Sequence, residues 1–210
     1  MPALTLALAK GRLLPPSLKA LAKAGLGLPE LEPESRQAVF HGPGGLRVII
    51  IRDDDIPTYV ARGAADLGIV GKDILEEAGG PTVELADLGY ARCRLVLAVP
   101  QGQNRLGPDL TVATKYPRVS TAYFSSRGVA ARVIHVHGAT ELAPRLGLAG
   151  AIVDLVATGR TLEVNQLEVA DTILHASARL IGNPASCSLK GSYLWPLVER
   201  LKECAGGEES

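Results

Sequence analysis

The apolar run Ala151-Ile152-Val153 ends in Asp154, and four residues further on stand Thr158-Gly159-Arg160-Thr161. This order predicts a buried strand with one carboxylate at its C-terminal end, followed by a small-residue loop that opens a helix. Such a loop offers backbone N–H groups and the positive end of a helix dipole to a phosphate. The carboxylate beside it accepts hydrogen bonds from sugar hydroxyls or helps to hold Mg2+. Phosphate donors next to a hydroxyl acceptor suit a sugar phosphate. An ordinary strand–turn–helix capped by Thr158 or Gly159 accounts for the same residues without a ligand, and one glycine loop does not separate the two. Asp154, the threonines on both sides of Gly159 and the arginine within the loop favour the ligand.

Other reactive side chains carry less. Asp53-Asp54-Asp55 invites a metal, but adjacent carboxylates point in different directions and Asp55 is better used as a helix cap. His135 and His137 share a strand face, yet two histidines without a third ligand make a poor metal site. No residue is therefore assigned as a direct metal ligand. Cys93, Cys187 and Cys204 are odd in number, far apart and without CxxC spacing, which argues against zinc or a disulfide framework. Cys93 is read as a small residue near a chain crossing and not as a nucleophile.

Elements able to position these groups follow from the pattern. Leu4–Ala9 reads as a central strand covered on both faces. Pro15-Pro16 begins a helix that Gly25 stops. Residues 29–45 read as loop with a short edge strand, and 46–51 as a second strand. A helix capped by Asp55 runs to Arg62, and Gly63 ends it. Strands follow at 65–71, 94–99, 111–114, 131–135 and 151–155, with helices at 72–77, 117–129 and 140–146. Residues 169–180 predict one long strand crossing between lobes, and 188–204 a final amphipathic helix. Gly63-Ala64-Ala65 and Gly147-Leu148-Ala149 both place a Gly-x-Ala turn ahead of a buried strand, an echo that suggests two α/β lobes built alike with a cleft between them.

Composition sets the outer limits. The chain has 210 residues, 47% hydrophobic and 4% aromatic, with 23 Gly and 14 Pro, which fits an α/β protein with many tight connections and excludes a disordered or fibrous chain. A net charge of zero gives no field for nucleic acid or a membrane surface. The N-terminus has its first charge after the apolar run and is too short to span a bilayer. A cytoplasmic location is the expectation.

The Asp154 loop resembles the phosphoribosyl-pyrophosphate loop of phosphoribosyltransferases, in which an acidic strand end precedes a Thr-Gly-x-Thr turn. The commoner version has two adjacent acids, whereas Leu155 follows Asp154 here, which argues against an ordinary member acting on a free base. The whole segment resembles a narrower signature, that of the ATP phosphoribosyltransferase family. Glu141, Gly147, Ala149, Ile152, Asp154, Leu155, Thr158, Gly159, Thr161 and Leu162 stand in that family's order and spacing. LALAKGRL near the start, DIPTYVARGAADLGIVGKDIL at 55–75, CRLVLAVP at 93–100 and ATKYPR at 113–118 extend the resemblance. Gly150 departs from it, because the family often has Asp there.

The resemblance implies an α/β fold of two similar lobes with a central cleft, like type II periplasmic binding proteins. Residues 1–90 with 180–210 would form one lobe, and 93–175, carrying the loop, the other. It implies the first step of histidine biosynthesis: N1 of the adenine of ATP joins the anomeric carbon of 5-phosphoribosyl 1-pyrophosphate, and pyrophosphate leaves. Mg2+ would travel with the polyphosphates. The length resembles the short, catalytic-only form without a C-terminal regulatory domain, which works in a hetero-oligomer with a histidyl-tRNA-synthetase-like regulatory subunit. Site roles follow from the same match. Arg12, Arg36 and Asp154 would be catalytic. Lys10, Gly11, Arg52, Lys72, Glu141, Ala157, Thr158, Gly159, Arg160 and Thr161 would bind substrate. Arg36 serves equally as a surface-loop arginine, and Lys72 as an exposed first-turn residue. A solute-binding protein of the same fold without catalysis is the competing class, and the Thr-Gly-Arg-Thr loop would be unnecessary for most of its ligands.

Overall fold

The computed structural model describes residues 4–28, 37–103 and 109–205. The chain folds as two compact units, Met1–Ala91 with Ser177–Ser210, and Arg92–Ala176. The first unit begins with β1 (Thr5–Ala9), α1 (Leu14–Lys23), β2 (Val39–His41), β3 (Arg47–Ile51) and α2 (Ile56–Ala61). It continues through β4 (Leu67–Gly71), α3 (Lys72–Ala78) and β5 (Val83–Asp87). The second unit holds β6 (Cys93–Pro100), β7 (Leu110–Thr114), α4 (Pro117–Ser126) and β8 (Ala131–His135). Then come α5 (Leu142–Arg145), β9 (Ala151–Val156), α6 (Arg160–Val164) and β10 (Leu167–Ala176). The chain returns to the first unit with β11 (Ala178–Gly182), α7 (Pro184–Leu189) and α8 (Gly191–Ala205).

The first sheet runs β2-β3-β1-β4-β11-β5. Every residue of β1 is buried, and it pairs in parallel with both β3 and β4, so an almost wholly apolar sequence is what its place demands. Leu21 of α1, Ile56 and Val60 of α2, and Leu194, Leu197, Val198 and Leu201 of α8 close the core over this sheet. The helix α2 lies close on β4 because Gly68 has no side chain: a Cβ there would meet Ile56 Cγ2 at 2.6 Å and Val60 Cγ2 at 2.9 Å. The expected cap by Asp55 is not made. Asp55 is helical in backbone, and Pro57 in the first turn removes one of the N–H groups a capping oxygen would receive.

The second sheet runs β10-β6-β9-β7-β8. Its strand β7 pairs in parallel with β8 and β9, while β6 is antiparallel to β9 and β10. Val96, Ala98, Ala113, Ile152, Val156, Leu162 and Leu167 form its core with Ala143 and Ala149.

The two sheets repeat one plan. The order β3-β1-β4-β11-β5 matches β8-β7-β9-β6-β10 strand for strand and direction for direction. In each sheet the antiparallel strand beside the parallel set is the one reached when the chain arrives from the other unit. The glycine echo belongs to this repeat: Gly63 and Gly147 have φ of 74° and 70°, a turn that a Cβ would strain. Three residues later Asp66 N–H donates to Thr5 O at 2.8 Å and Gly150 N–H to Thr111 O at 2.9 Å. Asp66 and Gly150 are therefore the same position of the plan.

Two long elements are divided. The strand expected over 169–180 breaks at Ser177, where the chain leaves one sheet for the other and the Ser177 hydroxyl donates to Asp87 Oδ1 at 2.7 Å. The helix expected over 188–204 is preceded by α7, whose N-cap Asn183 accepts from Ser186 N–H at 2.9 Å. The edge strand β5 had no counterpart in the sequence reading.

Candidate active site

In the first unit the cations gather at the C-terminal edge of the parallel strands. Lys10 N–H donates to Ile51 O at 2.9 Å, so the ends of β1 and β3 stay together and carry Lys10, Arg12 and Arg52, all exposed. Gly11, at φ 84°, lets the chain turn straight from β1 into a 3-10 turn, Gly11–Leu13, and α1. Ligands of open α/β sheets bind at this edge. Lys72 opens α3 at the end of β4, but its ammonium pairs with Glu76 and Glu84, both at 2.7 Å. Burial lowers its pKa, and the bonds to Glu76 and Glu84 outweigh that and raise it. Its charge is thus balanced inside its own unit. Arg36 lies outside the described residues.

In the second unit Asp154 is the fourth residue of β9, and the strand continues through Leu155 and Val156; the carboxylate stands before the strand end, not at it. It is half-buried, and Oδ1 accepts from Leu155 N–H at 2.8 Å. Burial above all, then the charge of Glu141, raises its pKa against the pull of Leu155 N–H, Lys115 and Thr140. The Thr140 hydroxyl is buried against it without a hydrogen bond of good geometry, so its pull is the weakest of these. Glu141 is half-buried ahead of α5.

Lys115 and Thr140 received no role from the sequence. The signal for Lys115 is register: Thr114 of β7 pairs with Val153 of β9, which sets the next residues, Lys115 and Asp154, side by side. The Thr114 hydroxyl donates to Val153 O at 2.7 Å and accepts from Tyr116 N–H at 2.9 Å, fixing the chain on both sides of Lys115.

After β9 come Ala157 and Thr158, both exposed, then Gly159 at φ 87°. Arg160 and Thr161, also exposed, open α6, while Leu162 is buried beneath and holds the turn to the core. The helix has five residues, so its dipole is small, and the groups free to donate to a ligand are the first N–H groups of the turn, which lack intrahelical acceptors. The rings of His135 and His137 lie tilted by 54° with centroids 4.4 Å apart. Among the described residues no three His, Cys, Asp or Glu side chains gather into a metal cluster, and no helix is long and apolar enough to cross a membrane.

Comparison with known proteins gives the family and the fold. Residues 52–203 match the family model described as HisG: ATP phosphoribosyltransferase. The ATP phosphoribosyltransferase of Symbiobacterium thermophilum is 49% identical over 210 residues, covering 97% of this chain and 95% of the relative. That of Deinococcus radiodurans is 47% identical over 209 residues, with 99% and 94% covered. Among solved structures, the ATP phosphoribosyl transferase (HisG:HisZ) complex from Thermotoga maritima is similar with a TM-score of 0.85 at 33% identity, covering 96% of this chain and 98% of that one. The periplasmic aliphatic sulphonate binding protein SsuA from Escherichia coli is similar with a TM-score of 0.59 at 14% identity, covering 97% and 72%. At that identity the likeness speaks of fold alone, and the fold is the α/β type of type II periplasmic binding proteins.

Proposed function

The chain belongs to the ATP phosphoribosyltransferase family, and on that premise we propose that the two strand-edge clusters carry its reaction. As a member it joins N1 of the adenine of ATP to the anomeric carbon of 5-phosphoribosyl 1-pyrophosphate, the first step of histidine biosynthesis. The C–N bond forms with the lone pair of a neutral ring nitrogen, and the C–O bond breaks with its electron pair leaving on pyrophosphate. No strong base is needed to start. The barrier lies in separating the anomeric bond and in bringing two polyphosphates together, so positioning and electrostatics dominate.

Each side chain then has a task. Lys10, Arg12 and Arg52 neutralise polyphosphate oxygens, and Arg36 joins them at the leaving pyrophosphate. Lys72 contributes only where a phosphate competes with Glu76 and Glu84. The turn Ala157–Thr161 cradles the 5-phosphate, with Gly159 shaping the turn and the hydroxyls of Thr158 and Thr161 donating. Asp154 and Glu141 accept from the ribose hydroxyls and favour the positive charge that develops on the sugar. The observation that carries this reading is the half-buried Asp154, flanked by Lys115 and Glu141, three residues before the turn Ala157–Thr161 that Gly159 sets.

Asp154, with Glu141 beside it, would hold Mg2+ that arrives on the substrates, since Mg2+ binds through one or two carboxylates plus phosphates. When bound, the ion supplies charge neutralisation to the pyrophosphate oxygens. A hetero-oligomer with a histidyl-tRNA-synthetase-like regulatory subunit is part of the same proposal, supported by the relative from Thermotoga maritima solved as a HisG:HisZ complex. So is a cytoplasmic location, where ATP and the phosphoribosyl donor are made.

The test is an ultraviolet assay of phosphoribosyl-ATP formation, with and without that subunit. Thr161→Ala is expected to weaken binding of the phosphoribosyl donor about tenfold and that of ATP by less than twofold, since it removes one charge-assisted bond to phosphate. Equal losses for both substrates would remove the turn from the donor site.

A further inference from the structure

The turn that carries Lys10 and Arg12 is held from a distance by one phenol. Ser17, fully buried in α1, donates its hydroxyl proton to Leu13 O at 2.6 Å. Leu13 closes the 3-10 turn that begins at Gly11. The same Ser17 oxygen lies 2.9 Å from the Tyr90 hydroxyl. A serine has one proton, and it is committed to Leu13, so Tyr90 is the donor in that pair. The bonds form a directed relay from Tyr90 through Ser17 to the carbonyl that ends the turn.

The base of this relay is fixed as well. Tyr90 O accepts from Ala178 N–H at 3.0 Å, and Leu88 N–H donates to Ala178 O at 2.9 Å. The next residue, Ala91, sits at φ 55°, a conformation that costs a residue with a Cβ and persists only where its surroundings impose it. Ala91 is also the last residue before the chain enters the second unit. Burial, opposed by the bond to Ser17, pushes the Tyr90 hydroxyl up to about 12, so it keeps its proton across the working range of pH.

We propose that Tyr90 is a positioning residue for polyphosphate binding, acting through Ser17 and Leu13 on the Lys10–Arg12 turn. An aromatic ring without the hydroxyl would fill the same space and leave Ser17 and the turn without this restraint. The inference rests on the proposed role of that turn, and it assigns Tyr90 no contact with substrate.

The experiment is steady-state kinetics on the full chain with its regulatory subunit, for Tyr90→Phe, Ser17→Ala, Arg12→Gln and the double variant Tyr90→Phe/Arg12→Gln, with a thermal melt of each. Tyr90→Phe is expected to raise the KM of the substrate that Arg12→Gln affects by about threefold to tenfold, the range spanned by loss of one hydrogen bond. Its kcat should stay within about twofold of the parent. Ser17→Ala should do the same, because it breaks the relay at its middle. The double variant should lose less in KM than the two single losses combined, since Lys10 is then the only cation of the turn left for Tyr90 to position and residues acting as one unit are not additive. An unchanged KM in Tyr90→Phe, or additive losses in the double variant, overturns the proposal while leaving the turn in the site. Normal KM values for both substrates in Arg12→Gln overturn the reading of the turn itself, and the role of Tyr90 with it. A fall in kcat that tracks a fall in melting temperature, with KM unmoved, marks Tyr90 as structural and also overturns the proposal.

Discussion

Asp154 shows how one carboxylate is tuned by its neighbours. Burial and the charge of Glu141 favour its protonated form, while Leu155 N–H, Lys115 and Thr140 favour the anion, and the balance lies above the ordinary carboxylate value of 3.8. In the role proposed for it, the anion is the form that would accept from ribose hydroxyls. Affinity for the phosphoribosyl donor should therefore fall on acidification, with its inflection above the usual carboxylate range. Lys115→Met should move that inflection further up, because it removes a cation that favours the anion. Donor affinity measured by calorimetry across pH 4 to 8 checks both. An inflection that Lys115→Met leaves in place would separate Lys115 from this carboxylate. The sequence marked Asp154 by its type and its distance from the turn. It gave Lys115 nothing, because adjacency across parallel strands depends on register, which no local pattern records.

At the scale of the element, the repeated plan explains the one residue in the loop segment that departs from the family pattern. In the first unit Asp66 Oδ2 accepts from Thr5 N–H at 2.8 Å, and Oδ1 accepts from Ser186 at 2.6 Å and Lys190 at 2.8 Å. The carboxylate thus ties the start of β1 to α7. Gly150 holds the same place in the second unit, where a Cβ would have only Thr111 O nearby, at 3.9 Å. Among the described residues no helix stands between β6, the strand that matches β11, and β7, so an aspartate there would have a strand N–H to receive but no counterpart of Lys190. Gly150→Asp should accordingly fold, gain up to about 1 kcal/mol from one new hydrogen bond and the loss of a glycine, and leave kcat and KM within twofold. Chemical denaturation and the standard assay test this; a loss above about 1 kcal/mol would mean that the two positions are not equivalent. Elements made of apolar runs, such as β1 and the first half of β9, were legible because burial on both faces leaves no other composition. The strand β5, Val83–Asp87, was not: it lies at a sheet edge, largely exposed, and its short polar sequence carries little signal.

At the scale of the whole molecule, Asp66 secures the return of the chain. Only after 85 residues in the second unit does the backbone come back to place β11, α7 and α8 on the first core. Burial raises the pKa of Asp66, but bonds to Lys190, Ser186 and Thr5 N–H, with the charge of Lys190, outweigh it and lower the net value. A lowered folded value means that this stabilisation is complete above the unfolded value of about 3.8 and is lost as pH falls through the folded one. Asp66→Asn should cost about 2 kcal/mol at pH 7, because it weakens the bonds that the buried carboxylate accepts from Thr5 N–H, Ser186 and the half-exposed Lys190. The deficit should shrink below pH 4, as the parent loses the same charge; urea titrations at both values measure it, and an equal deficit at both would remove the charge from the account. Composition and spacing alone determined the α/β class, the strand–turn–helix around Gly159 and the family signature, because these are local: a buried strand must be apolar and a left-handed turn favours glycine. Tertiary structure alone decided that Lys72 spends its charge on Glu76 and Glu84, that Lys115 stands beside Asp154, and that Tyr90 reaches the Lys10–Arg12 turn. Apart from Lys72–Glu76, four residues apart on one helix, those pairings join residues 12 to 73 positions apart or strands whose register is set by a whole sheet, and only the folded core brings them together.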